Sequence, residues 1–246
     1  MLENNSTRLI GGAIAIVVAA SIVLIAKPFA SQGTNSLIDQ VETFVYYGSV
    51  KEEKTGLTFT YDNNHKTVSV AGQASNAKDK LDIDIPESII HNGDAYTVTS
   101  IADRAFYNKG ITSITLPSTI KSIGSAAFGY NKIQTLNLPD GLSTISDSAF
   151  LGNQITILDI PNSVTSIGKA AFTYNQINYL KLSDNISTID ESTFMSNKLQ
   201  TVDIPNNIKE IKSNAFTFNN LSSATLSANT NYTSDAFGDG TKIIIK

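Results

Sequence analysis

Phenylalanine recurs along this chain at a fixed interval, and that interval constrains the fold more than any other feature of the sequence. It occupies every twenty-second position from residue 106 to residue 216, and Phe237 follows after twenty-one. The six evenly spaced residues are Phe106, Phe128, Phe150, Phe172, Phe194 and Phe216. The residue before each is alanine, except for Thr193. A spacing kept without insertions over this length indicates stacked, structurally equivalent turns of chain.

Other residue classes keep the same period. Counting from the phenylalanine as position 0, apolar residues recur at +5, +8, +10, +14 and +17, as in Ile155, Leu158, Ile160, Val164 and Ile167. The residues at +8 and +10 alternate with outward positions, which predicts a short strand. Proline follows in four of the repeats, at Pro117, Pro139, Pro161 and Pro205, and ends the strand because it has no N–H for a ladder.

One such turn cannot bury its own apolar side, whereas turns stacked at about 4.8 Å per rung bury one another's. The sequence therefore predicts a mainly β solenoid of 22-residue repeats with short helical or 3-10 turns. Asparagine recurs at +3, in Asn131, Asn153, Asn175, Asn197 and Asn219. Because this residue precedes an inward aliphatic residue, we expect it to bind backbone groups of the turn rather than a ligand.

The N-terminal region carries the other strong pattern. Leu9 to Ala26 has no charged residue, and as a helix it would span about 27 Å, close to the hydrocarbon thickness of a bilayer. This predicts a transmembrane anchor that includes Leu9, Ile14, Val17, Ile22 and Ile25. A cleaved signal peptide is the alternative, but Pro28 stands where cleavage after Ala30 requires a small residue.

The repeat unit, Ala-Phe-x-x-Asn-x-Ile-x-x-Leu-x-Leu-Pro-x-x-Ile-x-x-Ile, resembles the BspA-like leucine-rich repeat of bacterial and protist surface proteins. A hairpin predicted from Leu57–Tyr61 and Thr67–Ala71 resembles the strand pair that caps such arrays. The resemblance implies a right-handed leucine-rich repeat solenoid that mediates adhesion at the cell surface. The predicted division is an anchor helix at 1–30, a juxtamembrane helix or linker at 31–56, a hairpin cap with the first irregular repeat at 57–101, and the solenoid with its C-terminal strand cap at 102–246.

The composition gives little support for catalysis, metal binding or nucleic-acid binding. The chain has no cysteine and a net charge of −4, so it has neither thiolate ligands nor a basic surface for nucleic acid. Its two histidines, His65 and His91, fall in or next to predicted turns, and Asp82 and Asp84 fall on one face of a predicted strand. No phosphate-binding or metal-ligand motif accompanies them. We therefore expect no enzymatic activity, no cofactor and no metal site.

The outward strand positions form two columns along the predicted solenoid. Most are Ser, Thr, Asn or Asp, and only Ile157 and Tyr179 are bulky. The predicted binding face comprises Ile157, Asp159, Tyr179, Lys181, Thr201 and Asp203. An aromatic residue among mixed charges is typical of a recognition surface. A second row of aromatic residues, Tyr107, Tyr130, Tyr174 and Phe218, lies near the corner of the turn and could pack over neighbouring turns.

Two functional hypotheses follow. In the first, the protein is held in the cell membrane through residues 9–26 and its extracellular solenoid binds a protein or glycan ligand at the cell surface. In the second, it is a structural subunit that self-assembles into a surface filament through its apolar helix.

Overall fold

The computed structural model describes residues 8–10, 13–15, 56–77 and 80–246. Within the apolar N-terminal run it contains two strands, β1 (Arg8–Ile10) and β2 (Ala13–Ala15), which pair antiparallel with Leu9 opposite Ile14. The other residues of the predicted anchor, and nearly all of segment 31–56, lie outside the described residues. In the described ranges no helix has the length and hydrophobicity needed to cross a bilayer. The membrane helix therefore stays a prediction.

The predicted hairpin forms at the N-terminal end of the solenoid. Strands β3 (Leu57–Asp62) and β4 (Thr67–Gln73) pair antiparallel. In the connecting turn, Oδ1 of Asp62 accepts hydrogen bonds from two backbone N–H groups at 3.0 and 3.2 Å. Strand β4 also pairs parallel with β7 (Asp94–Ile101), which in turn pairs with the first short strand of the solenoid. The hairpin thus covers one end of the array. A 3-10 helix (Ser75–Ala77) follows it, and β6 (Ser88–His91) pairs antiparallel with β7.

Two walls of parallel strands run along the solenoid. The long-strand wall contains β5 (Asp82–Asp84), β8 (Ser113–Thr115), β11 (Ile157–Asp159), β13 (Tyr179–Lys181), β15 (Thr201–Asp203), β17 (Ser223–Leu226) and β19 (Lys242–Ile245). The short-strand wall contains β9 (Ser122–Ile123), β10 (Thr144–Ile145), β12 (Ser166–Ile167), β14 (Thr188–Ile189), β16 (Glu210–Ile211) and β18 (Asn231–Tyr232). Partners in the central repeats lie one repeat apart, as where Ile157 stands opposite Tyr179 and Ile145 opposite Ile167.

The long-strand wall is interrupted, which the periodicity did not predict. Residues 135–137 form no strand, so β8 pairs with β5 and β11 with β13, while β15, β17 and β19 form a separate block. The predicted side-chain directions are nevertheless right at this site, because Leu136 is buried and both Thr135 and Asn137 are exposed. Alternation of apolar and polar residues indicates which side of the chain each residue faces. It does not indicate whether the N–H and C=O groups of neighbouring turns are aligned to hydrogen-bond.

A third column of backbone hydrogen bonds runs along the corner that holds the phenylalanines. In the central turn, the N–H groups of Ser148, Phe150 and Gly152 donate to the carbonyls of Lys169, Ala171 and Thr173 in the next turn, at 2.8, 2.9 and 2.9 Å. The outer two donors have left-handed backbone, with φ of 57° at Ser148 and 68° at Gly152. The corner is therefore hydrogen-bonded between turns without being a strand.

The phenylalanines form one continuous column inside the solenoid. Neighbouring ring centroids are 5.2–5.8 Å apart and the rings lie within 4–18° of parallel, from Phe106 to Phe237. Every ring from Phe106 to Phe216 is fully buried. Centroid distances longer than the rung spacing of about 4.8 Å indicate offset stacking, the arrangement that aromatic rings prefer. The predicted shared interior is confirmed.

Candidate functional site

The asparagines at +3 connect adjacent turns of the solenoid. Nδ2 of Asn153 donates to the carbonyls of Phe128 and Phe150 at 2.9 and 3.1 Å, and its Oδ1 accepts the N–H of Ile133 at 3.1 Å. The same arrangement recurs at Asn131, Asn175, Asn197 and Asn219. Both polar ends of each amide are bound within the protein, so the expected structural role of these residues is confirmed.

The residues of the predicted binding face are all exposed on the long-strand wall. Ile157 and Tyr179 stand opposite each other on β11 and β13, and they are 60% and 52% exposed. The inward neighbour of Ile157, Leu158, is fully buried. The outer pair is therefore not needed to fill the interior, and it forms an exposed apolar patch among the polar outward residues of β8 to β17.

Charged groups flank this apolar pair. Nζ of Lys181 donates to both carboxylate oxygens of Asp159, at 3.0 and 3.1 Å. This hydrogen bond, with the charge of Asp159, raises the pKa of Lys181 above its usual value. Thr201 lies on β15, one turn further along, and Asp203 on the same strand accepts a hydrogen bond from Nζ of Lys246. Strands β13 and β15 do not pair, so the face consists of two adjoining blocks.

A shallow groove of about 340 Å³ lies beside the Asp159–Lys181 ion pair, where the long-strand wall is interrupted. Asp159 and Lys181 line it, together with Asn137, Asp140 and Asn162, which the predicted face did not include. Asp140 and Asn162 both stand at +12, directly after the proline that ends the strand. That column was readable from the repeat as a set of outward polar residues at a corner. The groove extends the candidate face with carboxylate and amide groups that can pair with a polar ligand.

The residues considered for catalysis or metal binding do not form a cluster. Nδ1 of His65 lies 2.8 Å from Oδ2 of Asp62 in the exposed hairpin turn, and the ring of His91 packs on Tyr61 with centroids 4.2 Å apart. Asp82 accepts a hydrogen bond from the hydroxyl of Thr112 at 3.1 Å. Among the described residues, no group of three or more histidines and carboxylates is placed to hold a metal ion.

Comparison with known proteins identifies the repeat. The model of the BspA type leucine rich repeat region matches residues 99–222 and 143–244 in six copies. A leucine-rich repeat protein from Bacteroides ovatus is 25% identical, with a TM-score of 0.51, over 78% of this chain and 60% of that one. The pneumococcal vaccine antigen PcpA is 24% identical, with a TM-score of 0.59, over 74% of this chain and 51% of that one.

This chain thus matches little more than half the length of either solved structure. A search of curated proteins found no match. The solenoid scaffold is typical of proteins that bind other proteins rather than of enzymes. With its 22-residue unit, its phenylalanine column and the six matched copies, the chain belongs to the BspA-type leucine-rich repeat family.

Proposed function

We propose that this protein is a cell-surface recognition protein whose candidate binding face (Ile157, Asp159, Tyr179, Lys181, Thr201 and Asp203) binds another protein. The observation that carries the proposal is the side-by-side exposure of Ile157 and Tyr179 on adjacent strands. Every other outward position on the strands of this wall between β8 and β17 is Ser, Thr, Asp or Lys.

The composition of the face suits a protein partner. Protein interfaces concentrate binding energy in a few buried aromatic and aliphatic residues surrounded by polar groups that exclude water. Tyr179 has a large ring and a hydroxyl on a rigid strand, so binding would order few rotatable bonds. The Asp159–Lys181 pair and the groove beside it supply polar groups of both charges.

The location is part of the same proposal. The uncharged run Leu9–Ala26 would hold the chain in the cell membrane and place the solenoid outside, where members of this family mediate adhesion. Replacing Ile14 and Ile22 together with aspartate should move the protein from the membrane fraction to the soluble fraction, because each central Asp disfavours insertion by about 3 kcal/mol. Fractionation of expressing cells measures this, and an unchanged membrane fraction would count against the anchor.

Binding can be tested with the full-length protein in detergent on immobilised fibronectin, laminin and collagen. The double variant Ile157→Thr/Tyr179→Thr should bind its ligand at least about tenfold more weakly, the loss expected when a central contact residue is removed. The matched control is Ser113→Ala/Thr115→Ala, which alters outward residues of the same wall without removing apolar contact area. Equal loss in both variants would argue against the face, and regular filaments in electron micrographs of the full-length protein would favour self-assembly.

A further inference from the structure

Position +2, one residue before the asparagine, has an unusual occupant in every second turn. Its backbone is left-handed throughout, with φ of 55° at Tyr130, 68° at Gly152, 55° at Tyr174, 57° at Ser196 and 57° at Phe218. Aromatic residues therefore alternate with small ones along this column. We name Tyr130, Tyr174 and Phe218 the aromatic ridge.

Gly152 makes room for the ring of Tyr130. A Cβ atom at Gly152 would lie 3.0 Å from Cδ1 of Tyr130, so the ring of Tyr130 lies over the backbone of the next turn. The ridge still faces solvent, with Tyr130, Tyr174 and Phe218 exposed to 48%, 57% and 77%. The rings are thus presented along the outside of the solenoid.

The backbone at the ridge is unfavourable for residues with side chains, because the left-handed conformation crowds the Cβ atom, and for a bulky residue it is a conformational outlier. Tyr130 recovers part of this cost, because its ring packs against Tyr107 with centroids 5.5 Å apart and lies over Gly152. Phe218 is 77% exposed and recovers little. The left-handed conformation recurs in every turn, at Gly152 and Ser196 as well as under the rings, so the fold fixes the backbone. The feature that a ligand would explain is the exposed aromatic side chain at every second of these positions.

The spacing and chemistry of the ridge indicate the ligand class. Two rungs separate successive rings, which sets them about 10 Å apart along the solenoid axis. In a β-1,4-linked pyranose chain the sugar faces alternate, so every second sugar presents the same apolar C–H face, at nearly this interval. Beside the ridge, position +4 carries polar side chains that can bind sugar hydroxyls: Lys132, Gln154, Gln176, Lys198 and Asn220. We propose that the aromatic ridge binds a β-1,4-linked polysaccharide lying along the solenoid axis.

This inference goes beyond the protein-binding proposal and uses a different surface. The test is depletion of the full-length protein in detergent from solution by insoluble cellulose and by insoluble chitin, with amylose, an α-1,4-linked glucan, for contrast. The two β-linked polymers distinguish glucose from N-acetylglucosamine as the recognised sugar. Because each ring contributes about 0.5–1.5 kcal/mol of stacking, each single change to serine should weaken binding about two- to tenfold, and the triple variant Tyr130→Ser/Tyr174→Ser/Phe218→Ser should abolish it.

Two control variants keep the result interpretable. Tyr179→Ser removes an exposed aromatic residue from the other surface and should leave polysaccharide binding unchanged, whereas Tyr174→Trp should retain it. Serine already occupies the same position at Ser196, so the ridge variants should fold, which their thermal unfolding midpoints check. Binding to cellulose or chitin that depends on the ridge supports the inference. No binding to either polymer, equal binding to amylose, or binding that survives the triple substitution would overturn it.

Discussion

The +3 column of asparagines, here called the asparagine ladder, and the +2 column that carries the aromatic ridge lie one residue apart in the five turns from Phe128 to Phe216, yet they follow opposite rules. At +3 the side chain is asparagine in five successive turns and is hydrogen-bonded to the neighbouring turn. At +2 the backbone conformation is equally constant, but the side chain alternates between aromatic and small. An inner residue meets copies of itself on both sides, so one solution is repeated. An outer residue meets solvent, so packing between turns does not fix its identity, and we attribute the alternation at +2 to the proposed ligand.

The inner rule is most strongly tested at Phe150, which stacks between Phe128 and Phe172 with centroids 5.3 and 5.5 Å away. Phe150→Ala should lower the free energy of unfolding by about 3–5 kcal/mol, because it removes buried contacts and leaves a cavity. Chemical denaturation measures the change. Phe150→Leu, which fills most of the space, is the matched control, and alanine and leucine variants of equal stability would contradict the stacked column.

A large loss is also expected at the ladder. Asn153→Ala leaves the buried N–H of Ile133 without its acceptor, which should lower the free energy of unfolding by about 1–3 kcal/mol. It also deletes the bonds from Nδ2 to the carbonyls of Phe128 and Phe150, although those carbonyls keep hydrogen bonds from Asn131 and Asn175. Gln154→Ala, at the adjacent outer position, should change the free energy of unfolding by less than about 0.5 kcal/mol. Denaturation midpoints of the pair compare the inner and outer rules directly, and similar losses at both residues would refute the distinction.

Substitution in the aromatic ridge should leave the stability of the protein unchanged or raise it, in contrast to substitution in the asparagine ladder. Tyr174→Asn places a residue that tolerates left-handed backbone at an exposed site and should leave stability unchanged or raise it by up to about 1 kcal/mol. The inner counterpart, Asn175→Ala, should destabilise as Asn153→Ala does. Thermal unfolding compares the two variants. A clear loss at Tyr174 would show that its ring is needed for folding, which would remove the argument for a ligand.

The smallest effect is expected at an outer contact between the last two turns. The hydroxyl of Ser213 donates to Oδ2 of Asp235 at 2.6 Å, and hydrogen bonds from Ser213 and Thr233 lower the pKa of Asp235. The pKa of Asp235 in the folded protein lies below its value in the unfolded chain, about 3.9. The contact therefore stabilises the protein fully above about pH 3.9, and this stabilisation is lost as the pH falls through the folded pKa. Asp235→Asn should slightly reduce the fall of the thermal unfolding midpoint between pH 5 and pH 2. If the variant and the parent show the same dependence of the midpoint on pH, the contact contributes nothing to stability.

The periodic part of the molecule was predictable because identical residues recur where they meet one another. The column of Phe128, Phe150 and Phe172 and the structural role of Asn153 both follow from that rule. The third column of backbone hydrogen bonds, along the phenylalanine corner, could not be predicted in this way. Its left-handed positions are filled by residues such as Ala126 and Ala170, and alanine gives no indication of that conformation.

The candidate face was predictable in its exposure and register, since Ile157 and Tyr179 are one repeat apart. Its groove was not, because the groove lies where the expected strand at residues 135–137 is missing, and the repeat pattern gave no sign of that gap. The contact between Asp203 and Lys246 could not be predicted either, because it joins residues 43 positions apart in the sequence. The last strand does not keep the 22-residue spacing, since Lys242 lies opposite Ser223.

The central claim is that the turns are interchangeable units held in phase by a shared interior. Duplicating residues 151–172 adds one complete unit, and the thermal unfolding midpoint of that protein is the most direct measure of the claim. We expect this midpoint to equal or exceed that of the parent protein. An insertion of half that length between residues 150 and 151 should lower the midpoint sharply, because it puts Phe172 out of line with Phe150. If the full and half insertions lowered the midpoint to the same extent, the in-phase stacking of equivalent turns would be contradicted.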